Sequence, residues 1–347
     1  MTDTDRSTGN PKSTAVVGGH PIHPMLVPFP IACFVGAFVT DIFFVYGAGL
    51  GWLTWIISTA IAGAVLLRGR RRGEPHPVLR GARSTPRMTC GITAIAHAYG
   101  RRRIDNLSES ARHGFDQAFV RDKLGIATRY AAADDQATSD LATEAAQALL
   151  ARTGTAAQDI EALVVVTQTP DYQLPHTAAL VQRALGLPTH LASFDMSLGC
   201  SGYVYGLSTV APLMAHAGYR RALLVTADCY SKVSDASDRA TAPLFSDAAA
   251  ATLITDTPRY RLLKPLFGTD GGGAETLIVK CGGSRAPADR SKLYMDGRAI
   301  YSFAISKIPQ HVEQCLAQNA LTFDDIDRFV FHQANRFMLE SLRDRMK

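Results

Sequence analysis

Two thirteen-residue segments, AQDIEALVVVTQT at 157–169 and FDDIDRFVFHQAN at 323–335, align without a gap at a spacing of 166 residues. They share Asp-Ile, a following acid, a large apolar residue and a valine. Each follows a stretch expected to be helical, SDLATEAAQALLAR (139–152, with Ser139 as its N-cap) and about 299–319. The match is short enough to arise by chance, but in this context it reads as one supersecondary unit used twice, in a chain that alternates strands and helices as an α/β fold does. The copies are unequal: the first continues for about 90 residues to Asp256, the second for 12 to Lys347. LASFDMSL, ALLVTADCY and AAAATLITD supply further strands after the first copy, and another is expected at about 90–97. Such short apolar runs between helices predict central strands covered on both faces.

The first eighty residues obey different rules. Residues 1–20 are polar and lack the basic start of a secretory signal. From Ile42 to Leu67 there are 26 residues without a charge, and LVPFPIACFVGAFVT (26–40) before them is also apolar. These runs predict a membrane segment over 21–67, as one long tilted span or as a hairpin turning at YGAGLG; a buried soluble helix pair is the other reading. Between Arg68 and Arg103 lie ten Arg and one acid, Glu74, so net charge there is +9 against +5 for the whole chain. Basic charge flanking an apolar run marks a membrane boundary with the subsequent chain in the cytoplasm, and it does not have the spread of a nucleic-acid surface. His20 and His23 are either interfacial or a metal pair without a third ligand, and no metal site is assigned. Residues 68–88 form a basic linker, 89–258 a first globular half and 259–347 a partial second half.

Six scattered cysteines with no CxxC pair suit a reducing compartment. One of them stands apart. In ASFDMSLGCSGYVYGLSTVAPLMAHAG (192–218) a strand runs through Gly-Cys-Ser-Gly into a helix, which Pro212 should kink. Cys200 therefore sits at a helix N-terminus, where free N–H groups favour a thiolate and can hold an oxyanion. Gly199 and Gly202 let backbone approach the sulfur.

That segment, with SDASDRATAPLFSDAAAATLI (234–254) and FHQAN (331–335), resembles the beta-ketoacyl-acyl-carrier-protein (ACP) synthase III family over about residues 90–347. The resemblance implies a thiolase-like fold of duplicated α-β-α layers, the second half incomplete, preceded here by one or two transmembrane helices. It implies an acyltransferase that condenses an acyl-CoA with malonyl-ACP by decarboxylative Claisen chemistry, in fatty-acid or polyketide biosynthesis, as a homodimer. Cys200 would carry the acyl group and His332 would hydrogen-bond the thioester oxygen of the malonyl group. Arg239 would stack on the CoA adenine, with Phe119 in place of the family's tryptophan, and Asn335 would complete the substrate-binding motif. Gly268 to Gly273 would form a turn near the substrate tunnel, and Leu174 a wall of the partner's tunnel. No permanently bound cofactor is implied, only acyl-CoA and the acyl carrier protein as partners. Arg336 stands one position before the family's carrier-docking arginine. The third catalytic residue, an asparagine in a Gly-Asn-Thr-like turn, and a C-terminal glycine loop are expected beyond Lys347. HPIHPMLVPFPIA likewise resembles the start of a family of small bacterial membrane proteins and implies a tether to the inner membrane. A non-catalytic remnant or partner subunit is the competing reading. A degradative thiolase would want a second catalytic cysteine, and a hydroxymethylglutaryl-type synthase a glutamate where TQTPDYQ stands.

Overall fold

Ala162–Val166 is a run of five apolar residues, each 0–2 % exposed, and the rest of the sheet is arranged around it. The computed structural model describes residues 90–287 and 290–346. It also pairs Val16–Val17 antiparallel with His20–Pro21. Beyond Pro21, the expected membrane segment at 21–67 lies outside the described residues, as does the basic linker. Among the described residues no helix is long and apolar enough to cross a membrane. The chain divides into two units, Met1–Arg83 and Ser84–Lys347, and the central sheet with its helices lies in the second.

In chain order the main elements are β1 (Gly91–Tyr99), β2 (Arg102–Asp105), β3 (Thr128–Ala131), α1 (Thr138–Thr153) and β4 (Ala162–Val166). Then come α2 (Thr177–Leu185), β5 (Ala192–Met196), α3 (Gly202–Ala217), β6 (Arg221–Asp228), β7 (Ala248–Thr255) and β8 (Tyr260–Arg261). Two helices close the chain, α4 (Gly297–Gln318) and α5 (Arg336–Arg345).

Six strands form one mixed sheet in the order β8-β1-β7-β6-β4-β5. β4 pairs in parallel with both β5 and β6, and β7 runs antiparallel to β6 and β1. Strand alternation then divides the core. Leu163 and Val165 join Leu223, Val225, Leu253 and the α1 residues Leu141, Ala145 and Leu149 on one face. Ala162, Val164 and Val166 join Leu224, Ile254 and the α3 residues Leu207, Val210 and Met214 on the other. A strand with both faces covered has no polar side to keep wet, which is why Ala162–Val166 shows no alternation. Each large apolar side chain buried here contributes about 1.5–3 kcal/mol.

The N-terminus of α1 differs in detail from the expectation. Ala137, not Ser139, occupies the cap position, and its N–H donates to Asp140 Oδ2 at 2.8 Å. Ser139 lies inside the helix and donates from its N–H and its hydroxyl to Asp171, at 2.9 and 2.6 Å. A carboxylate from the loop after β4 thus meets the orphan donors that a local cap would otherwise satisfy. α3 continues through Pro212 to Ala217.

The repeat is visible as local geometry. Ala157–Asp159 and Phe323–Asp325 are both single 3-10 turns after a long helix, and each is followed by an extended isoleucine, Ile160 or Ile326. The first copy then enters the sheet. The second does not: residues 326–333 belong to no ladder among the described residues.

Candidate active site

α3 meets the sheet through glycine. A Cβ at Gly202 would lie 2.4 Å from Val166 Cγ1, and one at Gly206 would lie 2.6 Å from Leu224 Cδ1. Spaced four apart, these two occupy one helix face, so the first turns of α3 sit directly on β4 and β6. That contact places the preceding turn at the carboxyl end of β5. Gly202 N–H donates to Gly199 O at 2.8 Å and closes the turn around Cys200. The Cys200 side chain is exposed on one side. Protein atoms crowd the rest of the sulfur.

The thiol does not have the depressed pKa expected of a helix N-terminus. Burial pushes it up, a backbone N–H at Cys200 pulls the other way, and the charge of Asp228 adds to the rise. Desolvation is the largest of these influences, and it disfavours the charged form of the sulfur.

Asp228, at the end of β6, is a residue that sequence reasoning missed. Its Oδ1 accepts from Thr167 Oγ1 (3.0 Å), Gln168 N (2.8 Å), Thr169 N (3.1 Å) and Thr169 Oγ1 (3.1 Å). Those four bonds pin the loop after β4 against the Cys200 turn. Burial nevertheless raises its pKa, and the four hydrogen bonds oppose the rise. The available signal was an acid closing an otherwise apolar strand in ALLVTADCY.

Gln168 and Tyr230 were missed as well. The carboxamide of Gln168 lies over Gly199, with Oε1 2.3 Å from where a Cβ would stand. Tyr230 Oη donates to that same Oε1 at 2.6 Å, and its ring stacks on Phe245 with centroids 4.7 Å apart. Burial raises the Tyr230 pKa, with Asp228 and Cys200 adding to the rise, so the hydroxyl remains a donor.

His332 stands in the extended segment ahead of α5. The residue is exposed, and partial desolvation of its ring shifts its pKa down from the usual histidine range. No hydrogen bond joins its ring to Cys200 in this structure. Asn335 is the N-cap of α5, with Oδ1 accepting from Met338 N at 2.8 Å. Its side-chain oxygen is thereby committed to the helix. The Arg239 guanidinium lies over the Phe115 ring at 4.8 Å, and Phe115 in turn stacks on Phe119 at 4.3 Å. The aromatic facing Arg239 is thus Phe115, with Phe119 as the next layer. Gly271–Gly273 is a short 3-10 turn capped by Asp270, which accepts from Gly272 N at 2.9 Å, and Gly268 O lies 3.4 Å from Tyr205 Oη of α3. Among the described residues no group of three His, Cys, Asp or Glu side chains is placed to hold a metal ion.

Residues 194–271, which contain the Cys200 turn, α3 and Asp228, match the family described as 3-Oxoacyl-[acyl-carrier-protein (ACP)] synthase III. Residues 19–70 match a second family, Predicted membrane protein (DUF2231). The beta-ketoacyl-[acyl-carrier-protein] synthase III of Caldanaerobacter subterraneus subsp. tengcongensis is 35% identical over 237 residues, 66% of this chain and 71% of that protein. The protein of the same name from Deinococcus deserti is 35% identical over 269 residues, 76% of each chain. The solved structure of the Thermus thermophilus synthase III superposes with a TM-score of 0.67 at 34% identity, covering 74% of this chain and 80% of that one. The globular part therefore has the thiolase-like α/β fold, and the chain belongs to the beta-ketoacyl-acyl-carrier-protein synthase III family of condensing enzymes, with an N-terminal region similar to a family of predicted membrane proteins.

Proposed function

We propose that this chain joins an acyl group from acyl-CoA to malonyl-ACP by decarboxylative condensation, with Cys200 as the acyl carrier. The observation that supports this reading best is a cysteine open on one side, held in a turn at the head of α3 by glycine contacts that leave no room for a Cβ. In the first half-reaction Cys200 Sγ would attack the thioester carbonyl, losing its proton as the C–S bond to CoA breaks and CoA leaves as the thiol. In the second, malonyl-ACP would lose CO2 and the resulting carbanion would attack the Cys200 thioester. A C–C bond forms, the C–S bond to Cys200 breaks, and the sulfur is reprotonated. The downward shift of the His332 pKa favours the uncharged imidazole, which would donate a hydrogen bond to the developing enolate. Arg239, with Phe115 and Phe119, offers a cation and a stacked aromatic pair to an adenine, Arg336 a cation to the carrier protein, and Leu174 an exposed apolar side chain to a second copy of the chain.

A specific observation favours the second reading, a non-catalytic member that keeps the fold. His332 lies on a segment outside any ladder and makes no hydrogen bond to Cys200. The two half-reactions separate the readings. Intact-mass measurement after incubation with acetyl- to octanoyl-CoA should show one acyl adduct, absent in Cys200→Ala. Release of CO2 from malonyl-ACP should be severely impaired if the second reading is right and should keep pace with acylation if the first is. No adduct on the wild-type chain would sink the acyl-carrier role.

Residues 21–67 are proposed to tether the domain to the cytoplasmic face of the inner membrane. The RGRRRG after the apolar run and the match over 19–70 support it. Recovery of the full chain in a carbonate-washed membrane fraction is expected; recovery in the supernatant would refute the tether.

A further inference from the structure

A polar side chain lies beside the Cys200 turn. Gln168 presents its carboxamide over Gly199, the residue before the nucleophile, and both Gln168 and Cys200 expose surface there. Consecutive Cα atoms are about 3.8 Å apart, so a group lying over Gly199 flanks the first few carbons of anything bonded to the sulfur. The side chain is held in place. Tyr230 donates to Gln168 Oε1 at 2.6 Å, and Phe245 stacks on the tyrosine ring from the other side. Asp228 holds the Gln168 backbone N–H at 2.8 Å. With Oε1 engaged, the Gln168 Nε2 amine makes no hydrogen bond among the described residues and remains a fixed donor. Tyr230 Oη has acceptor capacity beside it.

We infer that Gln168, locked by Tyr230, is a specificity-determining residue that selects acyl groups bearing an oxygen beyond the thioester, of the 3-hydroxyacyl or 3-oxoacyl class. The inference rests on the proposed role of Cys200. An unsubstituted chain laid against this carboxamide strips water from an amide donor and gives nothing back, whereas an acyl oxygen replaces the lost bond. The asymmetry is the one by which sites built around a hydrogen bond reject apolar isosteres.

The test uses the full chain and two CoA thioesters of equal length, 3-hydroxybutyryl-CoA and butyryl-CoA. Rates of adduct formation on Cys200 are followed by intact mass. Wild type should favour the hydroxylated group by about tenfold, the worth of one hydrogen bond made or left unmade. Gln168→Leu, which keeps the volume and removes the amide, should bring the ratio to about one. Tyr230→Phe keeps the ring stack on Phe245 and removes only the lock, so its ratio should fall between the two, and it carries the test if the leucine variant does not fold. Equal wild-type rates for the two thioesters, or a ratio unmoved in both variants, overturn the selection while leaving Cys200 as acyl carrier. No adduct from either thioester on a chain whose Cys200 iodoacetamide still alkylates overturns both claims.

Discussion

Val164 and Val330 hold the same place in the two copies of the repeat, yet one is 0 % exposed and the other 87 %. Their neighbours at 163 and 329 differ in the same direction, Leu163 at 0 % and Phe329 at 41 %. The local structure leading to each is alike, a long helix, a 3-10 turn and an extended isoleucine. The surroundings are not. β4 has β5 and β6 on either side and helices on both faces; residues 326–333 have no strand beside them among the described residues. A strand sequence becomes a strand only where neighbours accept its hydrogen bonds and its side chains, so propensity alone could not tell these segments apart. Leu163→Ala should therefore cost about 3 kcal/mol of unfolding free energy. Phe329→Ala should cost about 1 kcal/mol or less, because much of its ring already faces solvent in the folded chain. Equal shifts in urea midpoint would show that 326–333 is as well packed in solution as β4, and the comparison would break.

Helix seating differs between the regions too. α3 rests on the sheet through Gly202 and Gly206, while in α4 only Leu316 is buried. Gly202→Ala forces a methyl toward Val166 and should destabilise by about 1–3 kcal/mol. It should also slow acylation of Cys200 relative to Gly154→Ala, a control position with open space around it but a left-handed backbone. If only stability falls, and adduct formation on the folded fraction is unchanged, the glycine seat does not position the nucleophile.

Charge separates the two candidate catalytic groups as well. Cys200 is perturbed by burial and by Asp228, His332 by burial alone. Asp228→Asn removes the negative charge that disfavours the thiolate, so the rate of Cys200 alkylation by iodoacetamide should rise at neutral pH and its pH midpoint should move down. The His332 titration should not move. The same carboxyl gives a stability check with a definite sign. Its folded pKa is raised, so the native state holds that proton more tightly than the unfolded chain. Its contribution to stability is fully present below the unfolded value near 3.9 and is lost as pH rises through the folded pKa. The variant should lack that decline. A wild-type and an Asp228→Asn alkylation profile that coincide would remove Asp228 from the electrostatics of the site.

Much of this was legible in residue patterns. The β4 and β6 runs, α1, and the turn carrying Cys200 arise from periodicity, glycine placement and a strand-to-helix junction. What escaped reading was long-range pairing. Asp228 joins the 167–169 loop across 59 to 61 residues of sequence, Tyr230 meets Gln168 across 62, and Arg239 faces Phe115 rather than Phe119. Ser139 looked like a cap because its type and place are right, but Asp171, 32 residues on, took the helix end instead. No local pattern carries such information.

Capping gives the smallest and sharpest version of the same contrast. α1 is held at its start by a carboxylate from a distant loop, whereas α5 is held by its own Asn335, three residues from the N–H it accepts. Removing the first uncouples the helix from the loop after β4 and is expected to lower global stability: Asp171→Ala by about 1–2 kcal/mol. Removing the second frees one N–H in a helix whose only buried residue is Leu342. Asn335→Ala should therefore cost about 1 kcal/mol or less and should act locally, as faster amide exchange in 336–340 with little change in the exchange of β4. His332 lies on the segment that this cap anchors, so the variant also tests whether α5 positions the imidazole. If exchange in 336–340 rises and malonyl decarboxylation is unaffected, Asn335 serves the helix alone. If decarboxylation falls while Cys200 acylation holds, the cap reaches the second half-reaction through His332 and leaves the first region untouched.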